Sequence, residues 1–364
     1  MKKTMITLAL VLVVALLSAC AGTPVVYYSD CTCPTGAHAE PAPTTPAETT
    51  PVATTPVAEG AVKTGVAIVA SALESKSAAA DAAGEAKYDV SVVAVTVDDN
   101  GVIQSCIIDS IGTSVAFDAA GAITSDLTAE IPTKNELGDA YSMKLYGNAV
   151  AEWYEQAAAL ASFACGKTVE ELRAGAVDET GHAVDADLAT SATIYLGGYV
   201  SAIENAVFNA KHLGAQAGDE LKLAISSSVD GSKNADAENA GLSELYTTAV
   251  ALTMKDGIIT SAQIDAVQGK VNFDATGAIT GGTDGIYATK NMLGEQYGMV
   301  AWGGAIAEWN EQAASFAAYI TGKTADEVAG IAVDESTKPT DADLLTSVTI
   351  KIGEFQSLIA KACN

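Results

Sequence analysis

The chain is written largely twice, and that limits what it can fold into more than any other feature. At an offset of 156, residues Gly101–Val207 align without a gap on Gly257–Cys363. "FDAAGAIT" (117–124) falls on "FDATGAIT" (273–280), "TKNELG" (133–138) on "TKNMLG" (289–294), and "AEWYEQAA" (151–158) on "AEWNEQAA" (307–314). "GKTVEEL" (166–172) parallels "GKTADEV" (322–328), and "DADLATSATI" (185–194) parallels "DADLLTSVTI" (341–350). The period is far beyond that of a solenoid, so the pattern is a tandem duplication of a folding unit. It predicts one domain over 61–208 and a second over 209–364, joined near Asn209–Gly218.

Both copies carry the same local signals. Alternating apolar residues flank Asn100-Gly101 in the first and Asp256-Gly257 in the second, the pattern of a β-hairpin. A further strand and turn are expected at Val115–Thr124 and Val271–Thr280. An Ala-rich amphipathic helix follows over about Met143–Cys165 and Met299–Thr321, stopped by Gly166 or Gly322. Thr168 with Glu171, and Thr324 with Glu327, have the spacing of a capping box that starts a second helix. A last strand at Ser191–Leu196 or Ser347–Ile352 would precede a terminal helix. The fold class expected is α+β, two homologous domains each with an antiparallel-rich sheet covered by helices.

Lys2-Lys3, an apolar run from Met5 to Leu17 and small residues before a cysteine make residues 1–19 an export signal. Leu17-Ser18-Ala19-Cys20 resembles a bacterial lipoprotein signal, and the resemblance implies lipidation of Cys20 and anchorage in a lipid bilayer. Residues 20–60 are rich in Pro, Thr, Ala and Glu, as in "PAPTTPAETTPVATTPVAEG", and read as an extended tether. The localisation expected is the cell membrane, facing the extracellular or periplasmic side. Formal net charge is −26, which argues against nucleic acid and anionic lipid as partners. Six cysteines in 364 residues form no disulfide scaffold, and with three histidines they give no zinc signature or histidine triad.

The stretch "FDATGAIT" resembles the flavin-attachment signature of bacterial FMN-binding domains, in which a threonine carries the flavin phosphate. The duplication supplies a control: Ala120 stands opposite Thr276, so what the copies share is a turn with an aspartate and a glycine. The order of elements is also similar to that family: a hairpin ending in Asp109 or Asp265, a long helix, then an acidic loop running into Thr-Ser before the last helix. The loop residues at the family's attachment site are Leu188–Thr193 and Leu344–Thr349, which keep hydroxyls but lack its Ser-Gly pair. The resemblance therefore implies FMN held without a covalent bond, with Thr190 and Thr346 as candidate ligands; Lys134 and Lys290, repeated beside Gly-rich turns in a strongly anionic chain, are candidates to hold a phosphate as point charges.

Other candidates have plainer readings beside them. Lys167 and Lys323 fit the end of a helix, complementing its dipole. Trp153, Trp309, Tyr141 and Tyr297 could stack on a ring but suit a core, and Trp302, opposite Tyr146, is likewise expected in a core. Asp178, Glu179, Asp185 and Asp187, with Asp334, Glu335, Asp341 and Asp343, could suggest Ca²⁺ but read as solvated acidic loops. Glu152/Glu155 and Glu308/Glu311 lie on consecutive helix turns without the marks of an acid–base pair. No catalytic residue and no metal site is assigned. Two functions stand: a lipid-anchored protein that binds a flavin or related small anionic ligand for extracellular redox exchange, or a cofactor-free surface binding or structural protein, an antigen or a partner of another envelope protein.

Overall fold

Residues 60–363 are described by a computed structural model; the expected signal, Cys20 and nearly all of the tether, with Cys31 and Cys33, lie outside them. The first repeat runs β1 (Lys63–Ser71), β2 (Gly84–Val97), β3 (Ile103–Phe117), α1 (Lys134–Leu137), α2 (Met143–Gly147), α3 (Trp153–Ala164), α4 (Val169–Ala176), α5 (Ala186–Ser191) and α6 (Gly197–Asn209). The second runs β4 (Glu220–Ser228), β5 (Gly241–Lys255), β6 (Ile258–Phe273), β7 (Ile279–Gly281), α7 (Lys290–Leu293), α8 (Met299–Gly303), α9 (Trp309–Ile320), α10 (Ala325–Ala329) and α11 (Gly353–Cys363). Each repeat is an antiparallel sheet with its own helices, an α+β fold: order β1-β2-β3 in one and β4-β5-β6-β7 in the other.

The hairpins form where Gly sits. Asp256 and Gly257 both have positive φ (51° and 79°), the type I′ geometry whose twist suits flanking strands. Strands β2 and β3 alternate so that one face packs against α3 and α6 while the other packs against the opposite sheet. Four layers result: helices, sheet, sheet, helices. One core lies between the sheets and draws Tyr88, Ile111 and Phe117 from the first repeat and Leu245, Val267 and Phe273 from the second. Separate cores lie under each set of helices, around Leu160 and Ile203 in one and Phe316 and Ile359 in the other.

The repeats meet about a pseudo-two-fold axis. Phe117 and Phe273 stack with centroids 4.1 Å apart and planes 2° from parallel. The Ala78 amide donates to the Gly277 carbonyl at 2.8 Å, and the Ala235 amide donates to the Gly121 carbonyl at 2.8 Å. Ile279 donates to Ser77 Oγ (3.0 Å), and Ile123 donates to Asn234 Oδ1 (2.8 Å). The turn of each repeat thus docks on the loop before the middle strand of the other.

Four local expectations are corrected. The long helix expected at Met143–Cys165 and Met299–Thr321 is two, because Asn148 (φ 50°) and Gly304 (φ 62°) turn left-handed and end the first piece. The strand expected at Ser191–Leu196 and Ser347–Ile352 does not form. Its N–H groups are taken by a side chain instead: Gln156 Oε1 accepts from Thr193 (2.7 Å) and Ile194 (3.1 Å), and Gln312 Oε1 from Thr349 (2.8 Å). The separate strand expected from Val115 or Val271 is the end of one long strand, β3 or β6, because pairing with β2 or β5 continues in register to Phe117 and Phe273. The sheet order also includes β1 and β4, edge strands outside the segments expected to form strands. The capping boxes at Thr168/Glu171 and Thr324/Glu327 are present, with Gly166 (φ 80°) and Gly322 (φ 86°) just beyond the preceding helices.

Candidate functional site

The shared "TKN" triplet divides its work among three side chains. Thr289 caps α7 by accepting from the Met292 amide (3.2 Å), and Thr133 caps α1 in the same way. Asn291 Nδ2 donates to the Ile264 carbonyl (2.9 Å), and its amide donates to Asp265 Oδ1 (3.0 Å). Asn135 repeats both contacts on Ile108 and Asp109. Asp265 is buried, and burial pushes its carboxyl up to about 6 against the hydrogen bonds that favour the carboxylate. Asp109 is shifted in the same direction by the same cause. The aspartate midway along β3 or β6 is thus a seat for the short helix that presents the lysine.

Lys290, between them, is 5% exposed. Its Nζ donates to Tyr246 Oη at 2.9 Å and lies 4.6 Å, 4.8 Å and 4.8 Å from the ring centres of Tyr246, Tyr297 and Trp309. Ring faces attract the ammonium through their quadrupoles, yet burial lowers its pKa to about 8, with Glu354 and Asp265 pulling the other way. Lys134 has only two rings, Tyr141 at 5.2 Å and Trp153 at 5.1 Å. The strand registers put Asp89 where the second repeat has Tyr246. With Tyr141 and Asp89, Lys134 lines a cavity of about 350 Å³.

A cleft of about 580 Å³ adjoins the Lys290 cage. Tyr246, Tyr297, Trp309 and Phe355 supply aromatic surface, while Thr349, Lys338, Lys351 and Glu354 supply polar groups. Glu354 is engaged by the Ser226 hydroxyl. The residues matching Lys338 and Lys351 in the first repeat are His182 and Tyr195, and the Tyr195 ring lies over Gly181 and Gly197 there. The repeats therefore differ in charge and access at this face.

Thr190 and Thr346 are exposed, and each hydroxyl donates to a carbonyl of its own turn, Asp187 O at 2.8 Å and Asp343 O at 2.7 Å. Thr346 is not among the residues that line the cleft beside Lys290. Thr276 donates to Asp274 Oδ1 at 2.6 Å on the exposed side of its turn. Asp178 and Asp334 accept amides two and four residues ahead, and Asp185 and Asp341 cap the short turns after them, so these loop carboxylates hold their own backbone. Lys167 Nζ donates to the Phe163 carbonyl at 2.6 Å, satisfying the end of α3.

Glu152 and Glu308 are buried braces. Glu308 accepts from the Met299 and Val300 amides at 2.9 Å and 3.0 Å, Glu152 accepts from Met143 and Lys144, and each has its own amide held by Glu311 or Glu155. The core placement expected for Trp302 is corrected: it is 90% exposed and Tyr146 85%, because the five-residue helices α8 and α2 bury none of their residues. The residues that sequence reasoning passed over are Gln156/Gln312 and Asn135/Asn291. The signal was present, since a glutamine and an asparagine inside matched segments have no reason from helix propensity to recur.

Among the described residues no helix is long and apolar enough to cross a membrane, and no group of three His, Cys, Asp or Glu side chains could hold a metal ion. No family model, no curated protein and no solved structure matches the chain.

Proposed function

We propose that the chain is an exported, lipid-anchored binding protein whose second repeat takes a planar, anionic ligand of the flavin class, FMN, without a covalent bond. The observation that carries this reading is the aromatic cage around the buried Lys290, set beside a cleft of about 580 Å³ with Lys338 and Lys351 among its lining residues. That volume suits a small-molecule ligand, with aromatic walls for a ring and a few polar groups to orient it. In a chain of net charge −26 those lysines concentrate local positive charge that a phosphate would meet. Leu17-Ser18-Ala19-Cys20 and the Pro/Thr-rich segment support attachment to a bilayer through Cys20, with the repeats on the extracellular or periplasmic side. The role that follows is electron exchange by a carrier, with no hydrolytic chemistry.

A second reading, a cofactor-free surface protein that binds an envelope partner, is favoured by the hydroxyls of Thr190 and Thr346 closing their own turns. Titrating FMN into the purified full-length chain separates the two. The flavin reading expects saturable quenching of FMN fluorescence and, at a hundredfold excess over Kd, about 2.7 kcal/mol of added stability. Lys338→Ala with Lys351→Ala should weaken binding at least tenfold, and Lys290→Ala likewise; Thr346→Ala reports whether the loop before the last helix contributes. A colourless protein with neither quenching nor a thermal shift leaves the second reading standing.

A further inference from the structure

The two repeats form matching clefts between a sheet edge and the helix laid across it. In the second repeat the cleft is lined by Ala262 and Thr321, and in the first by Cys106 and Cys165 at the same aligned positions. The cysteines occur as a pair in one copy and are both missing from the other. Cys106 lies on β3, and Cys165 is the residue that ends α3. The two segments are already fastened together: the Gly166 amide donates to the Ile103 carbonyl at 2.8 Å, and the Ile103 amide donates to the Lys167 carbonyl at 2.9 Å. Both thiols are free in the structure.

We propose that Cys106 and Cys165 are a disulfide pair that ties β3 to the end of α3 in the first repeat alone. The chemistry is thiol–disulfide exchange with a disulfide oxidant, either a small-molecule disulfide or that of a thiol oxidoreductase. The Cys165 thiolate attacks the oxidant, forming a mixed disulfide and expelling one thiolate. The Cys106 thiolate then attacks Cys165 Sγ and expels the second. Two electrons pass to the oxidant, whose disulfide becomes two thiols, and the two cysteine protons go with them. Burial raises both thiols above their ordinary pKa, so the bond closes most readily while the first repeat is still folding. In the second repeat the Thr321 hydroxyl donates to the Ala317 carbonyl at 3.1 Å and Ala262 packs in the core, an arrangement that needs no crosslink.

The test uses the full-length chain, reduced and unfolded in urea, then refolded in a mixture of reduced and oxidised glutathione, alkylated, and digested with trypsin without reduction. The proposal requires the peptide Tyr88–Lys134 joined to Leu145–Lys167, separating on reduction. Reduction should also lower the melting temperature by roughly 4–10 °C. Cys106→Ala and Cys165→Thr, which copy the second repeat, should each abolish the linked peptide, and this readout stands even if a variant loses stability. Transplanting the pair by Ala262→Cys with Thr321→Cys should create the matching link in the second repeat. Recovery of both peptides fully alkylated after oxidation, or their linkage to Cys363, Cys31 or Cys33 instead, overturns the pairing.

Discussion

Thr276 and Gly277 stand side by side and respond oppositely to the same replacement. Thr276→Ala restores the residue found in the other repeat and removes one exposed hydrogen bond, so stability should move by no more than about 0.5 kcal/mol. Gly277 has φ +69°, and a Cβ there would sit 2.5 Å from Ala78 Cβ and 2.6 Å from the Asp118 carbonyl. Gly277→Ala should cost about 2 kcal/mol or more by urea denaturation, combining left-handed strain with a clash across the repeat junction. Lys290 offers a test in pH. Its folded pKa is about 8 against an ordinary 10.5, so the folded state binds fewer protons than the unfolded chain between those values. Stability therefore rises as pH goes from about 8 to about 10.5, by an amount of order 3 kcal/mol, and Lys290→Met should flatten that rise. The turn was legible in the sequence because two copies could be compared. The buried lysine was not, since nothing in "TKN" announces that Tyr246, more than forty positions upstream, closes over it.

At the scale of elements, the hairpins, the capping boxes and the helix stops could be read directly, because each rests on residues a few positions apart. The broken helix and the missing strand could not. A glutamine one turn into α9 supplies the acceptor that a neighbouring strand would otherwise provide, and its reach spans 37 positions of sequence. Gln312→Ala should leave the Thr349 amide without its partner and cost about 1–3 kcal/mol, seen as a lower urea midpoint at unchanged slope. Gln156→Ala should behave alike. Parallel losses from two positions 156 residues apart would show that both repeats use one device for one purpose.

For the whole molecule, the duplication was plain from the letters, while the way its halves meet was not. The near-continuous apolar runs in β2 and β5 show only that both faces are apolar, and cannot name what covers the second face. The structure covers it with the other repeat, through Tyr88, whose hydroxyl donates to the Ser243 carbonyl at 2.8 Å, and through the Phe117–Phe273 stack. Phe273→Ala should cost about 3–5 kcal/mol. Because the lost ring belongs to a core that both sheets build, calorimetry should show one transition moving to lower temperature. Two separated peaks would mean that the halves unfold independently.

The reciprocal pairing of turn and loop has a consequence for ancestry. A surface whose contacts map onto themselves after a half-turn is what a symmetric pair of identical subunits would present. A progenitor with a single copy would have left Tyr88 and Phe117 facing solvent unless it associated with its twin. Fusing such a pair would turn a partnership dependent on concentration into a fixed one and leave each half free to diverge, as the thiols of one repeat and the caged ammonium of the other differ here.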